Sequence, residues 1–420
     1  MHWAIRLVTG ALVAPALTVQ AHAQVDRWSG DGGMPPFYGW TRDLPSQPGR
    51  MLRTETAPAE VSLLEAGRAE RILYSSTDWR DASHRITVSG IIFFPKGEAP
   101  AHGWPLIAWA HGTTGVADVC APSFMARSPR DAAFFAHWLK AGYAIVATDY
   151  QGLGTPGVHP YLHYDSEGIG VLDSIRAVLA HYPELSKDRI VTMGQSQGGE
   201  GAIAAAYLAP RYAPELKLKG AVATGLVAHT MSIGKAAQEP VPSLYVDDGD
   251  YGNSAFEALW FLGTLRSADP EGIDPEDYVS DEGRALMLQA QTSCMGGLRR
   301  YATDKKLLRS RIYRNSVDAL EQAAEMSTPF PDVAIGIPVF TGTGLADSAA
   351  QSVKQYNFIS AMCAAGTRVE WHYYPHATHN SAVERSLADS PSFIARVMRG
   401  DAVPGNCAAL VPPGPLQDPE

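Results

Sequence analysis

Between residues 189 and 206 the chain reads Arg-Ile-Val-Thr-Met-Gly-Gln-Ser-Gln-Gly-Gly-Glu-Gly-Ala-Ile-Ala-Ala-Ala. Ile190 to Met193 is an apolar run suited to a buried strand, and the small residues after Gly198 suit a helix packed closely against it. A chain that reverses from strand to helix over Gly194-Gln195-Ser196-Gln197-Gly198 returns very near itself, so a side chain at either glycine would strike backbone. Ser196, at the apex, is forced into a strained conformation that lifts its hydroxyl above the sheet. Pro210 is expected to close the helix. The bare pattern is weak: with 39 glycines in 420 residues it arises by accident about 0.25 times in such a chain. Its setting carries the weight, because a strand before and a helix after are what a nucleophile elbow requires, and no other serine here has glycine two positions away on both sides.

The rest of the chain supplies the sheet into which such an elbow fits. Residues 26–58 are rich in Pro and Gly and read as an irregular arm pinned by Trp28, Phe37, Tyr38 and Trp40. Residues 69–74 and 85–94 predict an antiparallel hairpin at a sheet edge. Unbroken apolar runs at 104–110, 143–148, 190–193, 218–224, 337–341 and 368–374 predict buried strands. Helical patterns at 131–141, 167–182 and 349–365 lie among them. Such alternation specifies a mostly parallel sheet covered on both faces. From 226 to 330 the rhythm breaks and helical patterns dominate, for instance at 256–265 and 307–326. This predicts an inserted helical cap (226–330) on a core made of residues 24–225 and 331–420.

The net charge of -10 argues against a nucleic-acid or anionic-membrane partner, since either requires a basic face. Arg6, the apolar stretch 7–19 and Ala21-His22-Ala23 read as an export signal over residues 1–23, which places the mature protein outside the cytoplasm, in the periplasm or the medium. Cys120, Cys294, Cys363 and Cys407 form an even set that allows two disulfides in three connectivities. No spacing points to a metal.

A serine hydroxyl is a poor nucleophile at neutral pH and needs a base held by a carboxylate. In a sheet of this kind the order along the chain is Ser, acid, His. Asp347 follows directly on the strand that ends at Thr341, a better position than Asp332 before it or Asp389 beyond the last strand. Past the final strand, His379 is preferred to His376 because its longer loop reaches back over the sheet; His372 belongs to the strand itself. The oxyanion that forms at the attacked carbonyl needs aimed donors. The N–H of Gln197 is one, and the loop His111-Gly112-Thr113-Thr114 supplies the other through Thr113 or Thr114.

These residues resemble the secretory lipase family of α/β-hydrolases. The likeness rests on Phe37-Tyr38 and Pro48-Gly49, Tyr74-Ser75-Ser76 and Val88-Ser89-Gly90, His111-Gly112-Thr113-Thr114-Gly115 with Cys120-Ala121-Pro122-Ser123, Asp149-Tyr150-Gln151-Gly152-Leu153-Gly154, the elbow, Gly344-Leu345-Ala346-Asp347 and His379-Asn380. It implies an α/β-hydrolase fold with a helical lid inserted before the acid, and a Ser196/Asp347/His379 triad acting on carboxylic esters without a cofactor. It also implies disulfides Cys120–Cys294 and Cys363–Cys407. Yeast-type members carry Asp in the oxyanion loop where this chain has Thr113-Thr114. Lipid contact through the cap is a further implication. Acyltransferase, peptidase or polyester hydrolase activity uses the same triad. A non-catalytic binding module is the alternative from another class, although such proteins usually lose a triad member.

Overall fold

The computed structural model describes residues 28–232, 251–268 and 273–420; the expected export signal lies outside the described residues. Nine strands form one sheet: β1 (Met51–Thr56), β2 (Ala66–Asp78), β3 (Asp81–Pro95), β4 (Trp104–Ala110), β5 (Ala144–Thr148), β6 (Leu185–Gln195), β7 (Leu218–Thr224), β8 (Val339–Gly344) and β9 (Val369–Tyr374), in the spatial order β1-β2-β3-β5-β4-β6-β7-β8-β9. The contacts β1–β2, β2–β3 and β3–β5 are antiparallel; from β5 to β9 every pairing is parallel. This is the α/β-hydrolase arrangement, and β6, which feeds the elbow, lies near its centre. Strands β4 and β5 are almost wholly apolar because both faces are covered, with one hydrophobic cluster on each side of the sheet, whereas β9 at the far edge carries Glu370 and His372 and is mostly half-buried.

Three helices matter most to the site: α1 (Pro129–Lys140), α2 (Tyr164–His181) and α3 (Gln197–Tyr212). Ser128 caps α1 by accepting the N–H of Asp131 at 3.1 Å, with Pro129 in the first turn. Helix α3 is nearly all small residues because it lies almost against the sheet. It does not stop at Pro210 as expected but runs two residues further, since a proline in the final turn removes only one N–H from the ladder.

The arm is more regular than its composition implies. Trp28, Phe37 and Tyr38 are buried, as anchors should be, but residues 51–56 pair with β2 and make β1 the edge strand, so the hairpin β2–β3 lies one place inside the edge. Half-buried throughout, β1 lacks the clean alternation that marks a strand in sequence.

Between β7 and β8 the described residues are largely helical and close around a third hydrophobic cluster, which includes Leu259, Phe261, Leu286, Leu298 and Ile312 and is joined by Trp28, Val116 and Tyr161 from outside the segment. The expected helix at 307–326 is two pieces, Arg309–Ile312 and Asp318–Ser327. Thr230 and Phe330 bridge where the segment leaves and rejoins the sheet. Two disulfides are formed, Cys120–Cys294 and Cys363–Cys407. No helix among the described residues is long and apolar enough to cross a membrane.

Candidate active site

Ser196 sits between β6 and α3 with φ 61° and ψ −126°, a backbone conformation that non-glycine residues rarely adopt. The turn is held from both sides: its N–H donates to Thr224 O at 3.0 Å and its carbonyl accepts from Gly199 at 2.8 Å. A Cβ on Gly194 would overlap the Gly198 carbonyl, and one on Gly198 the Ala110 carbonyl. Both glycines are required by contact, as the sequence indicates.

Asp347 follows β8 and is fully buried. Its Oδ1 accepts the N–H groups of Ala349 (3.0 Å) and Ala350 (2.8 Å), and its Oδ2 accepts from the Gln355 amide (3.0 Å) and from Nδ1 of His379 (2.9 Å). Four donors thus converge on one buried carboxyl group, which satisfies its oxygens by hydrogen bonds within the fold. With Nδ1 donating to Asp347, Nε2 of His379 keeps its lone pair, the tautomer a general base requires. The loop is fixed from below by Gln195, whose amide donates to the His379 carbonyl at 3.1 Å. Ser196 and His379 line the same cavity, of about 1250 Å³. Among the described residues the imidazole is bonded to Asp347 but not to the Ser196 hydroxyl; such bonds often tighten only when substrate binds.

The competing histidines are occupied elsewhere. Nδ1 of His376 lies 3.0 Å from the Asp418 carbonyl in the C-terminal tail, and His372 stacks on Phe340 with ring centroids 5.0 Å apart. Asp389 accepts the Tyr374 hydroxyl at 3.1 Å.

The N–H of Gln197 opens α3, where the helix dipole favours negative charge. Across from it, Gly112 comes so near the elbow that a Cβ there would lie 2.8 Å from Oε1 of Gln195. Thr113 Oγ1 is 3.0 Å from the Tyr161 hydroxyl, whereas Thr114 Oγ1 is buried without a partner and the Thr114 carbonyl accepts the N–H of Met295 at 2.8 Å. Gln197, Thr113 and Thr114 all line the cavity. The loop rests on buried polar groups: burial holds His111 down to about 4, and therefore neutral, and pushes the Asp149 carboxyl up to about 6. Asp149 accepts the Ser89 hydroxyl (2.7 Å) and the Ser123 N–H (2.8 Å).

Phe256, Leu162, Val227 and Met295 provide the apolar wall of the cavity, while Phe261 and Leu262 are buried inside the helical cluster. The sequence reading omits Gln355, Gln195, Glu167, Glu200 and His159, which surround the three central residues. Amides carry no sequence signal of chemistry; only their place beside Ser196 marks Gln195 and Gln197. Among the described residues no three His, Cys, Asp or Glu side chains group as metal ligands would.

The sequence model of the family described as Secretory lipase matches residues 127–398. Lipase A of Moesziomyces aphidis is 20% identical over 444 residues, covering 98% of this chain and 91% of that protein. Lipase 6 of Candida albicans is 28% identical over 220 residues, 48% of this chain and 45% of that one. Among solved structures, Candida antarctica lipase A in its closed state superposes with a TM-score of 0.67 at 18% identity, covering 92% of this chain and 89% of that one. A rice cell wall degrading esterase, LipA from Xanthomonas oryzae, gives 0.59 at 17% identity over 83% and 97%.

Proposed function

Because the chain belongs to the secretory lipase family, we propose that it hydrolyses carboxylic esters with Ser196 as nucleophile, His379 as general base and Asp347 as the carboxylate that orients it. The observation that carries the reading is the 2.9 Å bond from His379 Nδ1 to the buried Asp347, on a loop that shares one cavity with a strained Ser196. Ser196 attacks the ester carbonyl and its proton passes to Nε2 of His379. The carbonyl oxygen becomes an oxyanion held by the N–H of Gln197 and by a donor of the Thr113-Thr114 loop. Collapse expels the alcohol, which takes the proton from His379. Water, deprotonated by the same imidazole, then attacks the acyl-serine and releases the acid.

The helices of residues 251–330 act as the cap, since they supply Phe256 and Met295 to the cavity wall. The two disulfides fit an oxidising compartment outside the cytoplasm. Reaction with a fluorophosphonate probe tests the nucleophile: the wild type labels and Ser196→Ala does not. Absence of wild-type labelling would favour a binding module. Rates over an ester series from acetyl to palmitoyl, below and above micelle formation, separate esterase from lipase.

A further inference from the structure

Behind the elbow, where α2 packs on α3, two carboxyl groups are buried together: Glu167 of α2 and Glu200 in the first turn of α3, 0% and 2% exposed. Among the described residues the Oε2 atom of each lacks a hydrogen-bond partner, and no cation acts on either. Glu167 uses its other oxygen on the residue after the nucleophile: the Gln197 side-chain amide donates to Glu167 Oε1 at 2.9 Å and to His159 Nε2 at 3.1 Å. His159 in turn donates from Nδ1 to the Gln151 carbonyl at 2.9 Å. The side chain of Gln197 is thereby gripped at both amide hydrogens, and the residue also lines the cavity.

The other titratable groups facing the pair are Tyr150, His159 and, beyond them, His111. The Tyr150 hydroxyl donates to the His111 carbonyl at 3.0 Å. A Cβ on Gly201 would lie 3.2 Å from that hydroxyl and 3.3 Å from Glu167 Oε2, so both converge on the first turn of α3. Burial keeps His159 (about 3) and His111 (about 4) uncharged and raises Tyr150 well above its ordinary range. Burial likewise raises both glutamates well above theirs, and repulsion from Glu167 adds to the rise at Glu200. A polar cluster of this kind is sustained only while its members stay neutral.

Building on the ester-hydrolase reading, we infer that Glu167, with Glu200 beside it, is a positioning residue for the oxyanion hole: Glu167 fixes Gln197 through its side-chain amide, and ionisation of the carboxyl pair lowers turnover without altering substrate binding. Two effects act together. A charge formed in this dry site opposes the negative charge developing on the substrate oxygen, and repulsion between the carboxylates loosens the grip on Gln197.

The test follows kcat and KM for a short-chain nitrophenyl ester from neutral to alkaline pH in the wild type, Glu200→Gln, Glu167→Gln and Glu167→Leu. Wild-type kcat falls on the alkaline side at constant KM, and combining Glu167→Gln with Glu200→Gln, so that neither side chain can ionise, moves that fall upward by about one pH unit or more. Glu167→Leu, which releases Gln197, lowers kcat by about tenfold at unchanged KM, and Glu167→Gln restores most of it. Melting temperature across the same range reads the pair without activity. A glutamate whose value is raised in the fold stabilises fully below its unfolded value and loses that contribution as pH rises. Glu200→Gln therefore melts above wild type at alkaline pH and converges with it in acid. A wild-type alkaline limb in the variant that combines Glu167→Gln with Glu200→Gln, or coincident melting profiles, overturns the inference. Failure of the fluorophosphonate reaction overturns the triad instead, and leaves the melting comparison to decide on the pair.

Discussion

Replacing Gln355 by Leu tests how far the acid depends on a side chain that never reaches the cavity. Gln355 is 1% exposed. It donates to Asp347 Oδ2 (3.0 Å) and the Ala350 carbonyl (2.6 Å), and its Oε1 accepts from Leu226 N (3.2 Å) and Thr343 Oγ1 (3.0 Å). Leucine has similar bulk, so no cavity forms and the change is read as lost hydrogen bonds. The bond to the ionised carboxylate is worth about 1.5–3 kcal/mol, and leaving the buried Leu226 N–H unpaired costs about 1–3 kcal/mol. The expected loss of stability is about 3–5 kcal/mol, measured by urea unfolding. Asp347 keeps its two backbone donors and His379, so the proposed triad survives with a less firmly held carboxylate. A kcat loss of about tenfold, or 1.4 kcal/mol, is expected at unchanged KM. Gln355→Glu sets a second carboxylate against Asp347, forces one of the two to take up a proton, and lowers kcat further. Wild-type stability in Gln355→Leu, or a change in KM alone, would refute this reasoning.

Other outcomes can be checked alongside. Gly198→Ala drives a methyl into the Ala110 carbonyl and yields no soluble enzyme, whereas Gly297→Ala, whose Cβ meets nothing nearer than Ser293 at 3.5 Å, leaves expression and activity intact. Breaking Cys120–Cys294, which spans 174 residues, lowers stability by up to about 5 kcal/mol on the chain-entropy account; chemical denaturation of Cys120→Ala/Cys294→Ala measures it. His111, held down to about 4 by burial, contributes stability above its unfolded value that is lost as pH falls toward about 4. In His111→Gln the decline of melting temperature on acidification is shallower.

The strands of the parallel half are legible because burial on both faces leaves them as plain apolar runs, and runs 104–110 and 218–224 coincide with β4 and β7. Asp347 and His379 are legible for a related reason: the fold fixes where the carboxyl ends of β8 and β9 lie, so chain order and loop length suffice to select them. What escapes is decided by contacts across the sequence. Met51 to Thr56 become a strand only because β2 offers an edge. Gln355 matters because it faces Leu226, 129 residues away. Nothing in the local pattern brings Glu167 under Gln197, 30 residues on. Pro210 reads as a stop, yet the helix carries it in its last turn.

The Cys120–Cys294 crosslink and the hydrogen bond from Met295 to the Thr114 carbonyl tie the roof of the cavity to the rim that would cradle the oxyanion. Any swing of the roof that admits a bulky ester must pivot about this tether or drag Thr114 with it. The wall of the cavity and the Thr113-Thr114 loop are therefore mechanically joined, so that displacement of one is felt at the other.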